Sequence, residues 1–210
     1  NLKGTVEYIG DSAFKDCTAI KDTYFLQGAK NIGAWAFWGA SVPGLILRNV
    51  YSIGEAAFYN STITDITIWG NHLKTISDFA FFNCNRIQNI NICNSVKTIG
   101  KQAFANCDRL VDVTLPASVK KIDTGAFMEC DRLKTVKTVN VEEVKDHAFF
   151  NCPKMIKFET NYMDTALGDY SMGFCYFNSL TKNTGFTIYA PAGGVTEAYA
   201  NSNNLLFVAK

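Results

Sequence analysis

Apolar and polar positions along the chain recur with a period of about 23 residues, within the range of stacked repeat architectures. That period is too long for a helix or a strand and too regular for a mosaic of unrelated elements. An Ala-Phe dipeptide, or a close relative of it, places Phe14, Phe37, Phe58, Phe81, Phe104, Phe127 and Phe149 at near-equal steps, the shortest being from Phe37 to Phe58. An eighth, degenerate copy opens at Leu167-Gly168, and its Met172 follows Phe149 by one full period. A segment this short has too little apolar surface to fold alone, so the copies must stack on one another.

The cleanest copy reads Ile99-Gly100-Lys101-Gln102-Ala103-Phe104, then Cys107, Leu110, Val113, Leu115, Pro116 and Val119, and closes at Ile122. Leu110, Val113 and Leu115 form the inward positions of a short half-buried strand. Ile99, Ala103, Phe104 and Cys107 have the spacing of a short inward-facing helical or 3₁₀ segment. The expected fold is therefore an α/β right-handed solenoid of about 23-residue coils, each with one short parallel strand and one short helical or 3₁₀ segment. Seven regular coils are expected over residues 6–165, with a degenerate coil and a C-terminal cap over 166–210, as a single solenoid across 1–210. The coils at Phe37 and Phe58 lack the cysteine and reach their next apolar letter one residue early, at Val42 and Ile63, so they should turn more tightly.

The string I-G-x-x-A-F-x-x-C-x-x-L-x-x-I-x-L-P-x-x-V-x-x-I resembles the BspA-like leucine-rich repeats, also called the Treponema pallidum type. The likeness runs from Val6-x-x-Ile9 to about Cys175, and Thr187 through Tyr199 looks like the closing strand, turn and short helix of such proteins. No capping sequence precedes Val6, as in a truncated or minimal cap. The resemblance implies a secreted or cell-surface protein of adhesion type, binding a protein or glycan such as a host matrix or cell-surface macromolecule. Asn1-Leu2-Lys3-Gly4 has neither an initiator Met nor an apolar signal core, so the extracellular expectation rests on the resemblance alone.

Composition narrows the chemistry. The 210 residues carry 20 basic and 19 acidic side chains, a formal net charge of +1, which leaves no broad electrostatic footprint for nucleic acid. No apolar run is long enough to span a membrane. Of seven cysteines, Cys17, Cys84, Cys107, Cys130, Cys152 and Cys175 occupy one repeat position, which marks them as buried core thiols rather than disulfide or zinc ligands. Cys93 stands at the consensus proline and is the thiol expected to react most readily. His72 and His147 fall in different parts of different coils, where they cannot share a catalytic triad. Asp65 and Asp112 are outward on strands, but this reading puts two coils between them. No catalytic residue, metal or cofactor is expected, and the chain reads as a non-enzyme.

Two surfaces remain as candidates. Outward strand positions carry Tyr24, Asp65, Asn91 and Lys137 among other polar residues, the face by which solenoids commonly bind. The position after the repeat phenylalanine carries Trp38, Tyr59 and Phe82 in successive coils, with Trp35 nearby, either as an exposed recognition patch or as a secondary core. The alternatives to recognition are a structural spacer of a larger surface protein, or a carbohydrate-active parallel β-helix enzyme. The stacked-phenylalanine reading has a direct test: Phe104→Ala should destabilise the fold by roughly 3–5 kcal/mol, and a denaturant midpoint equal to the parent's would show the residue to be misplaced.

Overall fold

A computed structural model describes residues 6–177 and 179–210. Asn1–Gly4, read above for a leader, lie outside the described residues. The coils stack in register: Ile9, Ile32 and Ile53 are partners in one parallel ladder, and Ile76, Ile99, Ile122, Val144 and Leu167 continue the same repeat position in a second. Each of these strands is two residues long, with the apolar residue turned inward. Longer strands form two further parallel ladders. Leu45–Arg48, Asp65–Trp69 and Asn89–Asn91 make one; Asp112–Thr114, Thr135–Lys137, Lys157–Glu159, Thr187–Ala190 and Leu206–Ala209 make the other.

Inside, the phenylalanines stack as expected. Successive rings from Phe14 to Phe149 lie 5.0–5.3 Å apart and within 10° of parallel. Tilted rings close the column at both ends, Phe25 against Phe14 and Phe158 against Phe149. The backbone shares this register, since each repeat Phe N–H donates to the carbonyl of the residue before the next coil's Phe or Met, as from Phe81 to Ala103 at 2.8 Å and from Phe104 to Ala126 at 2.8 Å. Ala at that place, fully buried, admits the close approach.

The helical segment expected between Ile99 and Cys107 is not helical. A run of overlapping turns replaces it in every coil, and two residues per coil are left-handed. One position holds Ser12, Trp35, Ala56, Phe79, Gln102, Gly125, His147 and Tyr170; the other holds Asp16, Gly39, Asn60, Asn83, Asn106, Glu129 and Asn151. Helical bonding would satisfy every N–H within one coil. The turns instead alternate, one N–H bonding back within the coil (Ala103 to Gly100) and the next bonding forward to the neighbour (Gln102 to Thr124). Stacking supplies those forward acceptors, so a helix in this arc would leave the neighbouring carbonyls unpaired. Asn, Asp and Gly dominate the second position because they tolerate the left-handed region at least cost.

In four successive coils the corner after the cysteine is a further turn, closed by N–H to carbonyl bonds from Ile87 to Cys84, Leu110 to Cys107, Leu133 to Cys130 and Met155 to Cys152. Its central residues are Asn85-Arg86, Asp108-Arg109, Asp131-Arg132 and Pro153-Lys154. The coils at Phe37 and Phe58, with Ala40 and Ser61 in the cysteine place, omit this corner and so reach their next buried apolar residues, Val42 and Ile63, one residue early. In the first coil, Tyr24–Gly28 is a 3₁₀ turn packed against strand Leu45–Arg48, so Tyr24 is not on a strand as expected. The segment Tyr24-Phe25-Leu26 does not alternate, and i→i+3 bonds at Leu26 and Ala29 take up its backbone. Cys175 lies in the first strand of an antiparallel hairpin, Phe174–Phe177 with Ser179–Lys182, and helix Val195–Ser202 follows, packed on strands Ala166–Leu167, Thr187–Ala190 and Leu206–Ala209.

Glycine after the repeat Ile follows a cross-coil rule. Where a coil has Asp two places beyond that Ile, as at Asp11, Asp78 and Asp146, the next coil has Gly33, Gly100 and Gly168. The carboxylates accept backbone N–H bonds from Ala34 at 2.9 Å, Lys101 at 2.8 Å and Asp169 at 2.9 Å. A Cβ on Gly100 would lie 2.6 Å from Asp78 Oδ1 and 2.7 Å from the Ile76 carbonyl, whereas one on Gly10 meets nothing nearer than Tyr8 at 3.9 Å. Gly100→Ala is therefore expected to cost about 1–3 kcal/mol, and Gly10→Ala to leave the melting temperature nearly unchanged; equal effects would refute the rule.

Candidate binding surfaces

The longer strands turn alternate side chains outward, and parallel register lines them up in rows. Ile46, Thr67 and Asn91 form one row, Arg48 and Trp69 the next, and Asp65 with Asn89 a third. Trp69 is 55% exposed and Ile46 41% exposed. The Arg48 guanidinium lies 5.6 Å from the Trp69 ring centre, and its Nε donates to Gln27 Oε1 at 3.2 Å. Tyr24, on the 3₁₀ turn beside this sheet, is 76% exposed. Sequence reasoning included Tyr24, Asp65 and Asn91 but stopped short of Trp69, Arg48 and Ile46. The signal was present, since Trp69 continues the outward alternation of Asp65 and Thr67.

The second ladder is more self-contained. Lys137 is exposed beside Thr114 and Glu159. Glu159 pairs with Lys210 at 2.7 Å and Lys157 at 2.9 Å, and the hydrogen bonds from those two lysines, Lys210 first, pull its carboxyl down to about 2.

The aromatic row stacks. Trp38 and Tyr59 lie 4.1 Å apart, Tyr59 and Phe82 4.8 Å apart, all half-buried, with Lys15 5.5 Å above Trp38 and Phe79 tilted against Phe82. Both faces of Trp38 and of Tyr59 are covered, so those two rings present edges rather than platforms. Trp35 stands apart at a left-handed turn position and is exposed.

Two polar clefts flank the coil corner. One, of about 380 Å³, is lined by Gln88, Asn89, Arg109, Val111, Asp112 and Arg132. The other, of about 370 Å³, is lined by Asn85, Arg86, Asp108, Arg109, Asp131 and Arg132. Burial, then Asp131 and Glu129, raise the Asp108 carboxyl.

The BspA type leucine rich repeat region matches residues 1–71 and 51–180, in six copies. The chain belongs to the BspA-type leucine-rich-repeat family. Among solved structures it is similar to the T. pallidum leucine rich repeat protein TpLRR, with 28% identity over 67% of each chain and a TM-score of 0.58. The pneumococcal vaccine antigen PcpA shares 18% identity, with 98% of this chain against 66% of that one and a TM-score of 0.51. A leucine-rich repeat protein from Bacteroides ovatus shares 19%, with 97% of this chain against 58% of that one and a TM-score of 0.56. The chain thus spans about two thirds or less of the length of these structures. No curated protein sequence matches it.

In the BspA-type coil the repeat cysteine is a core donor. The Sγ atoms of Cys84, Cys107, Cys130 and Cys152 donate to the carbonyls of Phe58, Phe81, Phe104 and Phe127 at 3.0, 3.5, 3.2 and 3.1 Å. All seven cysteines are free. Burial pushes the Cys84 and Cys175 thiols up to about 11; it also raises Cys107 and Cys152, helped by neighbouring thiols. Cys93 is half-buried, with its Sγ 3.2 Å from Ser95 Oγ. His72 stacks on Tyr51 at 4.2 Å, while His147 packs against Phe150 and Tyr170. Asp65 and Asp112 are nearer than the two intervening coils expected. Their separation is two coil periods, so a single strand carrying Asn89 lies between them. Neither is free, because Asp65 accepts from Asn89 at 2.7 Å and Asp112 from the Thr135 hydroxyl. Among the described residues no helix is long and apolar enough to cross a membrane, and no three His, Cys, Asp or Glu side chains are grouped to hold a metal ion.

These thiol environments predict an alkylation pattern. Iodoacetamide at pH 8, read by mass spectrometry, should label Cys17 and Cys93 in the native protein and the other five only after unfolding. The unfolded chain ionises its thiols from about 8.5 while folded Cys84 stays neutral to about 11, so the thiols' contribution to stability should be intact below that window and fall as pH rises through it.

Proposed function

We propose that this BspA-type domain is a non-enzymatic recognition module, exposed outside the cell, that binds a protein through the outward face of strands Leu45–Arg48, Asp65–Trp69 and Asn89–Asn91. The observation that carries the reading is Trp69, more than half exposed on regular sheet, with Arg48 resting on its ring and Ile46 and Tyr24 exposed nearby. Tryptophan, tyrosine and arginine are the side chains that most often dominate protein interfaces. Parallel register holds them on a rigid scaffold, so little ordering cost opposes binding. Asp65 and Asn91 supply the polar rim. An extracellular placement follows the family resemblance.

The test is binding of the purified domain to an array of matrix proteins and mucins, with Trp69→Ala and Trp38→Ala run in parallel. A saturable partner should lose roughly 2 kcal/mol of affinity, about thirtyfold, on Trp69→Ala with no change in melting temperature. Loss confined to Trp38→Ala would move the site to the stacked row, and no saturable partner at all would favour a spacer.

A further inference from the structure

The first coil turns toward its N-terminal side the same face that every later coil packs against its neighbour. Its string Ile9-Gly10-x-x-Ala13-Phe14-x-x-Cys17 is that of an internal coil, without the polar replacements by which a terminal coil closes its core. Phe14 is half-buried and Ala13 exposed, whereas the six rings after Phe14 and the alanine before each are fully buried. The backbone is open in the same place. In an internal coil the carbonyls of Lys101, Ala103 and Ala105 accept from the N–H groups of Phe79, Phe81 and Asn83 in the coil before, at 2.8–2.9 Å. The equivalent carbonyls of Asp11, Ala13 and Lys15 accept no bond among the described residues. Gly10 carries a further mark of the same kind. A Cβ on Gly33, Gly54, Gly100 or Gly168 would lie 2.1–2.6 Å from an atom of the preceding coil, while one on Gly10 meets only Tyr8 of its own coil at 3.9 Å.

The polarity of the arc selects what fits this face. Each coil aims arc N–H groups toward the C-terminal end and arc carbonyls toward the N-terminal end, so the open face needs donors. A second copy meeting it face to face would set carbonyls against carbonyls. Stacking head to tail is closed as well, because Ser171 and Met172 at the other end are fully buried, with Phe186 against Gly173 and the Tyr199 hydroxyl donating to the Met172 carbonyl at 3.5 Å. A coil takes about 23 residues, more than the five ahead of Val6. Val6-Glu7-Tyr8-Ile9 matches Val96-Lys97-Thr98-Ile99, the stretch over which one coil passes into the next. We propose that the open face is a stacking surface for a further BspA-type coil, supplied by the same polypeptide ahead of Val6. Joined in one chain, that coil docks without the entropic cost of association. The inference uses none of the Trp69 cluster, so either reading can fail without the other.

An extended chain with a copy of residues 76–95 joined ahead of Val6 tests it, with the same residues in scrambled order as the control. The copy brings Asp78 to the place that faces Gly10, as Asp78 itself faces Gly100. Iodoacetamide labelling of Cys17 should slow at least about tenfold in the extended chain, with Cys93 unchanged and the scrambled extension without effect. Gly10→Ala, neutral in the parent, should lower the melting temperature of the extended chain as Gly100→Ala lowers that of the parent. In the natural polypeptide isolated from its own cells, Cys17 should label as slowly as Cys84. Unslowed labelling of Cys17 beneath the added coil, equal protection by the scrambled sequence, or a natural polypeptide whose Cys17 labels as fast as Cys93 would each overturn the proposal. Protection of Cys17 that grows with the concentration of the parent domain would overturn it too, by assigning the face to a second copy.

Discussion

Everything in this molecule depends on the registry of one coil with the next at the Ala-Phe step. Two interactions are made there at once. The phenylalanine rings stack, and the Phe N–H donates to the carbonyl of the neighbour's preceding residue, alanine in every regular coil. Each demands the small residue beside the ring, and neither is available to an isolated coil. Apolar burial drives the stacking, while the hydrogen bonds fix its position along the axis, because an unpaired buried amide costs about 1–3 kcal/mol.

That registry explains the unusual backbone of the closing arc. The chain must turn sharply while aiming alternate N–H groups at the next coil, and left-handed residues at two places per coil do both. Most of them are not glycine. The strain persists because stacking over-determines the conformation from both sides. The same proximity accounts for glycine after Ile wherever the preceding coil offers an aspartate, so the composition of one coil constrains the next.

Registry also shapes the surface. Any side chain repeated at one position becomes a row about one coil step apart, whether aromatic, thiol, amide or cationic. Rows inside become ladders, as with Cys84 through Cys152. On the strands they become the Arg48–Trp69 pair, and at the corner turn the column Arg86, Arg109 and Arg132. The corner is missing from the coils at Phe37 and Phe58, so that column begins only after them.

The sequence by itself determined the period, the stacked core and the inward cysteines, because those positions recur and burial selects for residue type regardless of local conformation. Trp69 was legible too, as the continuation of an alternating strand. The closing arc was not. Apolar residues at Ile99, Ala103, Phe104 and Cys107 suit a helical turn equally well, and only the carbonyls of a neighbouring coil make the alternating turns the better solution. Likewise Trp38, Tyr59 and Phe82 read alike as a patch or a core. Their half-burial as a covered stack was decided by the coil spacing, which brings like rings into contact across a full repeat of chain. Periodicity is a property of the chain alone, whereas the partner of each backbone and side-chain group exists only once the coils are assembled.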